Sequence, residues 1–400
     1  GPVLVVFNPV ASEREDAVEA TVRFGGAAPL AVRVLGPDGR EVPAQVVARD
    51  GSEAKLVFVA RVAPVSFSSF TVLPASSPRR SELAVSRSML ANARYSVAID
   101  TNGDVASVLD NEAGRELLAS PLRLQLFGDE PRKWAAWEVE YSALAAPPRE
   151  VVTGPAAIRV VESGPARVAV EVVRHAAGST FTQVIRLAAG GDRVELLTDV
   201  DWRTPGTLLK AAFPLAATSE TASYDLGLGV ATRGTNRPNL YEVPAQQWAD
   251  ITDAGGTFGA AVLNDSRHGW DKPDDHTLRL TLVHTPSVVP SWSWLDDQKS
   301  NDLGHHRVLM ALAGHAAGWR TGRIPLTAER LNQPLVAWQA APHPGELGRS
   351  FSLLAVDSPA VAVRAVKLAE ESDEVVVRLQ ELADKATSGV TLRFARPVTA

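Results

Sequence analysis

The feature that most constrains the fold is a succession of short apolar runs, each closed by turn-forming residues. Residues 3–10, 17–24 and 30–35 are rich in valine and are separated by Asn-Pro, Gly-Gly and Pro-Asp-Gly sequences. Similar runs recur to the end of the 400-residue chain. β-Branched runs bounded by such residues are typical of strands in sandwiches. Helical periodicity is weak, with residues 360–369 its best example. The sequence therefore predicts an all-β fold.

The spacing of these runs predicts three parts. Residues 1–80 are expected to form a small β-sandwich that ends at the polar sequence Ser-Ser-Pro-Arg-Arg. Residues 81–320 hold too many strands for one small sandwich, and we expect a large two-sheet structure there. Residues 321–400 are expected to be a proline-containing connector and a partial terminal β-sandwich. Strands begin and stop abruptly at the two chain ends, which we interpret as cuts through a longer protein.

Composition excludes several classes of function. The absence of cysteine rules out disulfides, thiolate metal ligands and a cysteine nucleophile. Basic residues are scattered and the net charge is −6, so no nucleic-acid or membrane partner is expected. No apolar run reaches the roughly 18 residues that a membrane helix needs. A reducing cytoplasm suits this composition, although a cysteine-free exported protein is an alternative. We expect a cytoplasmic location.

Candidate catalytic groups are few. The sequence contains no phosphate-binding loop, zinc-binding HExxH helix or GxSxG nucleophile elbow. Asp199 and Asp201 alternate on one predicted strand and so share a face, which suits either a carboxylate pair or a strand end. A polar segment, residues 296–307, contains His305 and His306, which face opposite sides of a strand. Metal binding, acid–base chemistry and an ordinary polar loop remain open for this segment.

A third group combines tryptophan with polar residues. Indole faces beside amides, carboxylates and histidine suit sugar recognition, but tryptophan in β proteins also packs in cores. Both interpretations stay open for this group, which comprises Trp248, Asp250, Asn264, Asp265, His268, Trp270, Trp292 and Trp294.

Six ordered motifs resemble the C-terminal β region of the glycoside hydrolase family 38 α-mannosidases. They occupy residues 127–141, 197–215, 241–251, 260–271, 278–286 and 302–315. The opening sequence VLVVFNPVASERED is similar to the stretch that follows the helical domain in that family. One departure is visible, because the family commonly has Trp-Asp-Ala-Trp where this chain has Trp134-Ala135-Ala136-Trp137.

The resemblance implies a retaining α-mannosidase whose zinc ligands and aspartate nucleophile lie upstream of this chain. It therefore places no catalytic residue and no metal ligand here, and it implies zinc only for the complete enzyme. The implied fold is a small sandwich, a large supersandwich similar to galactose mutarotase, and an apparently truncated terminal sandwich. The implied partners are the upstream catalytic domain and mannose-containing glycans.

Two long polar loops, residues 233–243 and 264–275, are the candidate contributions to a mannose-binding cleft. Their candidate sugar-binding residues are Arg233, Asn236, Arg237, Asp265, His268 and Trp270. An alternative is a stand-alone carbohydrate-binding β module. Another is a mutarotase-like sugar enzyme that uses His305 or His306 with a carboxylate such as Glu242.

Overall fold

A computed structural model describes residues 1–135, 137–287 and 302–399. It contains 33 strands and two helices in these residues. The first seven strands are β1 (Val3–Asn8), β2 (Arg14–Arg23), β3 (Ala31–Leu35), β4 (Glu41–Val42), β5 (Ala44–Asp50), β6 (Glu53–Val62) and β7 (Ser66–Ala75).

The middle of the chain holds the larger sheets and one short helix. Its elements are β8 (Ala84–Ser86), β9 (Met89–Ala91), β10 (Tyr95–Ile99), β11 (Val105–Asp110), β12 (Arg115–Glu116), β13 (Arg123–Gly128), α1 (Tyr141–Ala145), β14 (Glu150–Val151), β15 (Ala157–Ser163), β16 (Arg167–Ala176), β17 (Ser179–Ala188), β18 (Val194–Trp202), β19 (Thr207–Pro214), β20 (Thr221–Asp225), β21 (Val230–Gly234), β22 (Val243–Pro244), β23 (Trp248–Thr252), β24 (Phe258–Asn264), β25 (Gly269–Asp271), β26 (Thr277–Thr285) and β27 (Gly304–Ala316).

The last part of the chain begins with the second helix. Its elements are α2 (Ile324–Asn332), β28 (Val336–Ala340), β29 (Ser350–Ser352), β30 (Leu354–Val356), β31 (Val361–Leu368), β32 (Val375–Glu381) and β33 (Leu392–Phe394).

The first sandwich packs a sheet in the order β28-β1-β7-β3-β4 against the three-stranded sheet β2-β6-β5. Alternate residues of β1, such as Leu4 and Val6, point into its core, where Phe58 and Phe70 have ring centroids 5.3 Å apart. β28 pairs with β1, and β29 pairs with β7. Residues 336–340, which overlap the predicted connector, and residues 350–352, predicted as part of the terminal sandwich, therefore belong to the first sheet.

The large middle part is built from three sheets that share one core. A six-stranded sheet has the order β14-β13-β19-β26-β25-β22, and a nine-stranded sheet has the order β15-β16-β17-β18-β27-β24-β23-β20-β21. A five-stranded sheet, β12-β11-β10-β9-β8, adds to them. Phe181, Trp202, Phe213 and Trp270 are fully buried in this core. The predicted all-β class is confirmed, and the middle part has a third sheet where two were expected.

Helix α2 lies on the outer face of the nine-stranded sheet. Ile324, Ala328 and Leu331 recur at helical spacing and pack against Trp248 and Trp319, whose ring centroids are 4.9 Å apart. Pro325 suits the first turn because its missing N–H would have no partner there. The helix covers a sheet face that would otherwise expose apolar residues.

The terminal part consists of two small sheets, β30-β33 and β31-β32. They enclose a minor core around Leu354 and Val363, with Ala11 of the first sandwich. Residues 361–368, whose pattern was the most helical in the sequence, form the strand β31. A bulge between Val363 and Ala365 shifts its register and produces the mixed pattern.

Asp16 of β2 lies at the junction of the first sandwich, the middle part and α2. Arg14 Nε lies 2.7 Å from Asp16 Oδ2, Arg330 Nη2 lies 2.7 Å from Oδ1, and Arg193 Nη1 lies 3.3 Å from Oδ1. Arg330 also contacts Asp192 at 2.7 Å. Burial tends to raise the pKa of Asp16, but Arg330, Arg193 and Arg14 outweigh it and hold this pKa well below its usual range.

Replacing Asp16→Asn should lower the free energy of unfolding by about 3 kcal/mol or more, because it leaves buried arginines without their shared counter-charge. In the wild type, the pKa of Asp16 is lower in the folded chain than in the unfolded chain, where it is about 4. The ionised carboxylate therefore stabilises the fold fully above about pH 4, and this stabilisation is lost as the pH falls towards the pKa of the folded chain. Urea unfolding at pH 7 and at pH 3 measures both effects.

The control is Asp38→Asn, because Asp38 forms an exposed pair with Arg40 at 3.7 Å. That substitution should change the free energy of unfolding by less than about 0.5 kcal/mol. Equal costs for Asp16→Asn and Asp38→Asn would contradict the junction role of Asp16.

Candidate functional site

A group of charged side chains lies on the face of the six-stranded sheet that points away from the main core. In β19, Leu209 and Phe213 enter the core, so Lys210 between them projects to the opposite face. The same alternation in β25 buries Trp270 in the core and directs Asp271 to the opposite face. The two-residue period of the strands therefore assembles this group.

Lys210 is the centre of the group. Its Nζ lies 2.5 Å from Glu242 Oε2, 2.7 Å from Thr281 Oγ1 and 2.8 Å from Asp271 Oδ1. These three contacts use all three donors of the ammonium. The Thr281 hydroxyl donates to the other Glu242 oxygen, and Arg279 Nε lies 2.9 Å from Asp271 Oδ2. Two positive and two negative side chains therefore form one network, named here the Lys210 network.

Burial differs among the members of the Lys210 network. The side chains of Lys210 and Asp271 are fully buried, whereas that of Glu242 is 19% exposed. Burial tends to raise the pKa of Asp271, but the charges of Lys210 and Arg279 outweigh it and lower this pKa. Burial raises the pKa of nearby Tyr224, and the negative charge of Asp271 raises it further. Glu242 is therefore the carboxylate of this network that an outside molecule can reach.

Close backbone approach fixes the position of Glu242. A Cβ atom placed on Gly269 would lie 2.4 Å from Glu242 Oε1 and 3.3 Å from Thr281 Cβ. Gly269 thus leaves the space that the carboxylate occupies.

Strand β21 and the loop after it carry three of the predicted sugar-binding residues. Asn236 Nδ2 donates to Asp271 Oδ2 at 2.7 Å, which joins the loop to the Lys210 network. Arg233 Nη1 donates to the carbonyl of Pro244 at 2.9 Å, and its guanidinium lies 5.1 Å from the centroid of the Tyr224 ring. The side chain of Arg237 is exposed, while its backbone pairs with Leu240. The structure therefore places Asn236 and Arg233 beside the network and Arg237 on the surface.

Helix α1 and its preceding segment cover the same sheet face. Leu144 packs against Phe127 and Leu208, and its carbonyl accepts a hydrogen bond from Arg279 at 3.1 Å. Trp134 and Trp137 are 51% and 77% exposed. Ala135, at the position of the family's aspartate, is buried, and Ala136 lies outside the described residues.

The remaining predicted sugar-binding residues lie elsewhere. Trp270 is fully buried in the main core. Of the two alternatives, sugar recognition and core packing, its position agrees with core packing. Asp265 and His268 are exposed and line a separate cleft beside α2. Trp292, Trp294, Asp296, Asp297 and Asn301 lie outside the described residues.

The other polar candidates form surface contacts. Asp199 Oδ1 lies 3.2 Å from His305 Nε2, and Asp201 Oδ2 lies 3.0 Å from Arg203 Nε. His306 Nε2 lies 2.5 Å from the carbonyl of Asp302. Within the described residues, no three histidine, aspartate or glutamate side chains cluster closely enough to hold a metal ion. These residues do not fit a zinc site.

Sequence reasoning did not single out Lys210, Asp271, Arg279 or Thr281. A signal was present, because a charged residue in the middle of a strongly apolar strand must find a buried partner. Lys210 within TLLKAAFP and Arg279 within TLRLTL both have this pattern. Lys210 finds Glu242 and Thr281 at 32 and 71 residues along the chain, and Arg279 finds Asp271 on the neighbouring strand β25. Local patterns do not reveal these partners.

Comparison with known proteins identifies the family. Residues 90–297 match the model of the glycosyl hydrolases family 38 C-terminal domain. Human alpha-mannosidase 2C1 is 30% identical over 305 residues, which cover 73% of this chain and 28% of that protein. Alpha-mannosidase G of Dictyostelium discoideum is 24% identical over 318 residues, 75% of this chain and 28% of that protein.

Solved structures show the same fold. A glycosyl hydrolase family 38 protein from Enterococcus faecalis superimposes with a TM-score of 0.78 at 17% identity, over 100% of this chain and 54% of that one. An alpha-mannosidase from Enterococcus faecalis V583 gives a TM-score of 0.75 at 17% identity, over 98% of this chain and 52% of that one. The chain belongs to the glycosyl hydrolase family 38 C-terminal domain family. It spans 28% of the length of the curated relatives named above.

Replacing Lys210→Met should lower the free energy of unfolding by about 2 to 4 kcal/mol, because Glu242 and Asp271 lose their shared cation. Adding Glu242→Gln should recover part of this loss, since it removes one of the unpaired charges. Chemical denaturation of the two variants measures the coupling.

The matched control is Lys55→Met, because Lys55 is half exposed and pairs with Glu19 at 2.6 Å. Its removal should cost less than about 1 kcal/mol. If Lys210→Met costs no more than Lys55→Met, the Lys210 network does not hold this face together.

Proposed function

We propose that this chain is the C-terminal, non-catalytic β portion of a retaining α-mannosidase, in which it supports the catalytic domain and helps to form the mannose-binding cleft. Family membership supports the proposal, as do relatives named alpha-mannosidases. The short span of those relatives that the chain covers is consistent with a catalytic region elsewhere. The partners would be that catalytic region and mannose-containing glycans.

The observation that carries the proposal is the Lys210 network together with the exposed side chains around it. The network anchors the loop of Asn236 to the sheet through Asp271. Around it, Trp137 and Leu240 are 77% and 47% exposed, and Arg237 is also exposed. Exposed aromatic and apolar groups beside arginine suit contact with another protein domain. A rigid loop at such a contact can orient a substrate and exclude water without supplying a reacting group.

The zinc that the resemblance implies would be held outside this chain. No reaction step is assigned to the residues described here. Their role would be to position the substrate. Arg237 can offer forked hydrogen bonds to sugar hydroxyls or to a carboxylate of the catalytic region. We also propose a cytoplasmic location, because the cysteine-free composition suits a reducing compartment. No helix within the described ranges is both long and apolar enough to cross a membrane.

A mutarotase-like activity has less support. Glu242 is bound by Lys210 and Thr281 on the six-stranded sheet. His305 and His306 belong to β27 of the nine-stranded sheet, where their contacts are Asp199 and Asp302. The pair of groups that this activity would need is not brought together.

Hydrolysis of an aryl α-mannoside with added zinc tests the proposal. The chain alone should be inactive, and a longer polypeptide that includes the preceding region should be active. Activity of the 400-residue chain alone would overturn the non-catalytic role. Inactivity of the longer polypeptide would overturn the assignment to an α-mannosidase.

Arg237→Ala in the longer polypeptide should lower kcat/KM by about tenfold, the effect of losing one charged hydrogen bond of roughly 1.4 kcal/mol. Stability should not change, because the side chain is exposed. The control is Arg40→Ala, whose side chain is 88% exposed in the first sandwich and should not affect kinetics. Equal kinetics for Arg237→Ala and wild type would remove Arg237 from the cleft.

A further inference from the structure

A long cleft separates the β20–β21 hairpin from α2 and the β31–β32 hairpin. It consists of two adjoining cavities of about 310 and 420 Å³. The residues that line both cavities are Asp225, Gly227, Leu228, Trp248, Pro325 and Arg364. This cleft lies outside the Lys210 network, none of whose members lines it.

The walls of the cleft are held by internal contacts. The Asp225 carboxylate accepts hydrogen bonds from the backbone N–H groups of Gly227 at 2.8 Å and Gln247 at 3.0 Å, which shapes the hairpin turn. On the opposite wall, Arg364 Nη1 lies 2.9 Å from Glu329 Oε1 of α2, and its Nε donates to Gln380 at 2.6 Å. The cleft is therefore preformed between supported walls.

Several polar side chains in the larger cavity have hydrogen-bonding capacity to spare. The side-chain amides of Gln246, Gln247 and Gln333 form no hydrogen bond with any other described residue. Asp265 uses only Oδ1, in bonds from Ser266 and Leu309, and His268 makes one 3.3 Å contact through Nδ1. Amides, imidazole and carboxylate together offer donors and acceptors, which matches the hydroxyl groups of a sugar.

The charges of the cleft disfavour an anionic ligand. Five acidic residues line the two cavities: Asp225, Asp265, Glu329, Glu381 and Asp384. The two arginines that line them are already paired, Arg364 with Glu329 at 2.9 Å and Arg320 with Asp384 at 3.0 Å. Leu228, 73% exposed on the rim, offers an apolar edge for the C–H face of a sugar ring. The ligand that fits is neutral and rich in hydroxyl groups.

We propose that this cleft binds a neutral, mannose-containing oligosaccharide at a site separate from the one beside the Lys210 network. The cleft chemistry alone supports a neutral oligosaccharide, while the choice of mannose rests on the proposed function. The site would hold a glycan chain through Gln246, Gln333 and His268 without cleaving it.

Calorimetric titration of the 400-residue chain with a linear α-linked mannotriose tests the proposal. We expect binding with a Kd of about 1 mM or tighter, and at least about tenfold weaker binding by the double variant Gln246→Ala/Gln333→Ala. Both glutamines are exposed, so the variant should keep the wild-type unfolding midpoint. Gln339→Ala, at an exposed position on β28 of the first sandwich, is the matched control and should bind like wild type.

Absence of mannotriose binding, or equal binding by the double variant and wild type, would overturn the site. Mannose 6-phosphate should bind more weakly than mannose, and tighter binding would overturn the neutral-ligand assignment. Equal affinity for maltotriose would support a neutral-oligosaccharide site and overturn the mannose assignment. Because these titrations need no hydrolysis, failure of the α-mannosidase proposal in the activity assay leaves their outcome unaffected, and the reverse also holds.

Discussion

The arrangement of the three parts of this chain depends on the shared carboxylate of Asp16. Arginines from β2, from the turn before β18 and from α2 converge on it. Arg330 also pairs with Asp192 and Arg193 with Glu195, so Asp16 is the carboxylate that the three arginines share. The contact forms only when these three segments are in place together. Arg330 thereby ties α2 to the first sandwich, and α2 is also a wall of the polar cleft. The junction and the cleft therefore share one helix.

The Lys210 network likewise pairs buried charges, here on the six-stranded sheet. A buried ammonium is costly unless every donor has a partner, and Lys210 finds three in Glu242, Asp271 and Thr281. Such a network adds less stability than apolar packing would, but it permits few alternative geometries. In this chain the network holds a loop in place, because Asn236 and the exposed loop beyond it are bound through Asp271. A loop held in this way suits a contact surface better than a mobile one does.

Much of the fold could be predicted from the sequence, because strand alternation and turn residues are local signals. The all-β class follows from such signals, whereas the family follows from the six motifs that resemble it. The return of β28 to pair with β1 could not be predicted, since that pairing joins residues more than 300 positions apart. Helix α2 was missed because its short apolar stripe is interrupted by Pro325 and polar residues, and β31 was mistaken for a helical pattern because a bulge breaks its alternation. The boundaries at residues 80 and 320 stay predictions.

The candidate site was predicted only in part, for a reason visible in residues 264–271. Asn264 ends β24 of the nine-stranded sheet, and Asp271 ends β25 of the six-stranded sheet. The segment therefore crosses the edge of the sandwich, so Asp265 and His268 reach one cleft while Asp271 joins the Lys210 network. Asn332 of α2 donates to the carbonyl of Asn264 at 3.0 Å, which fixes the cleft end of the crossing. Residues that are neighbours in sequence thus serve two surfaces.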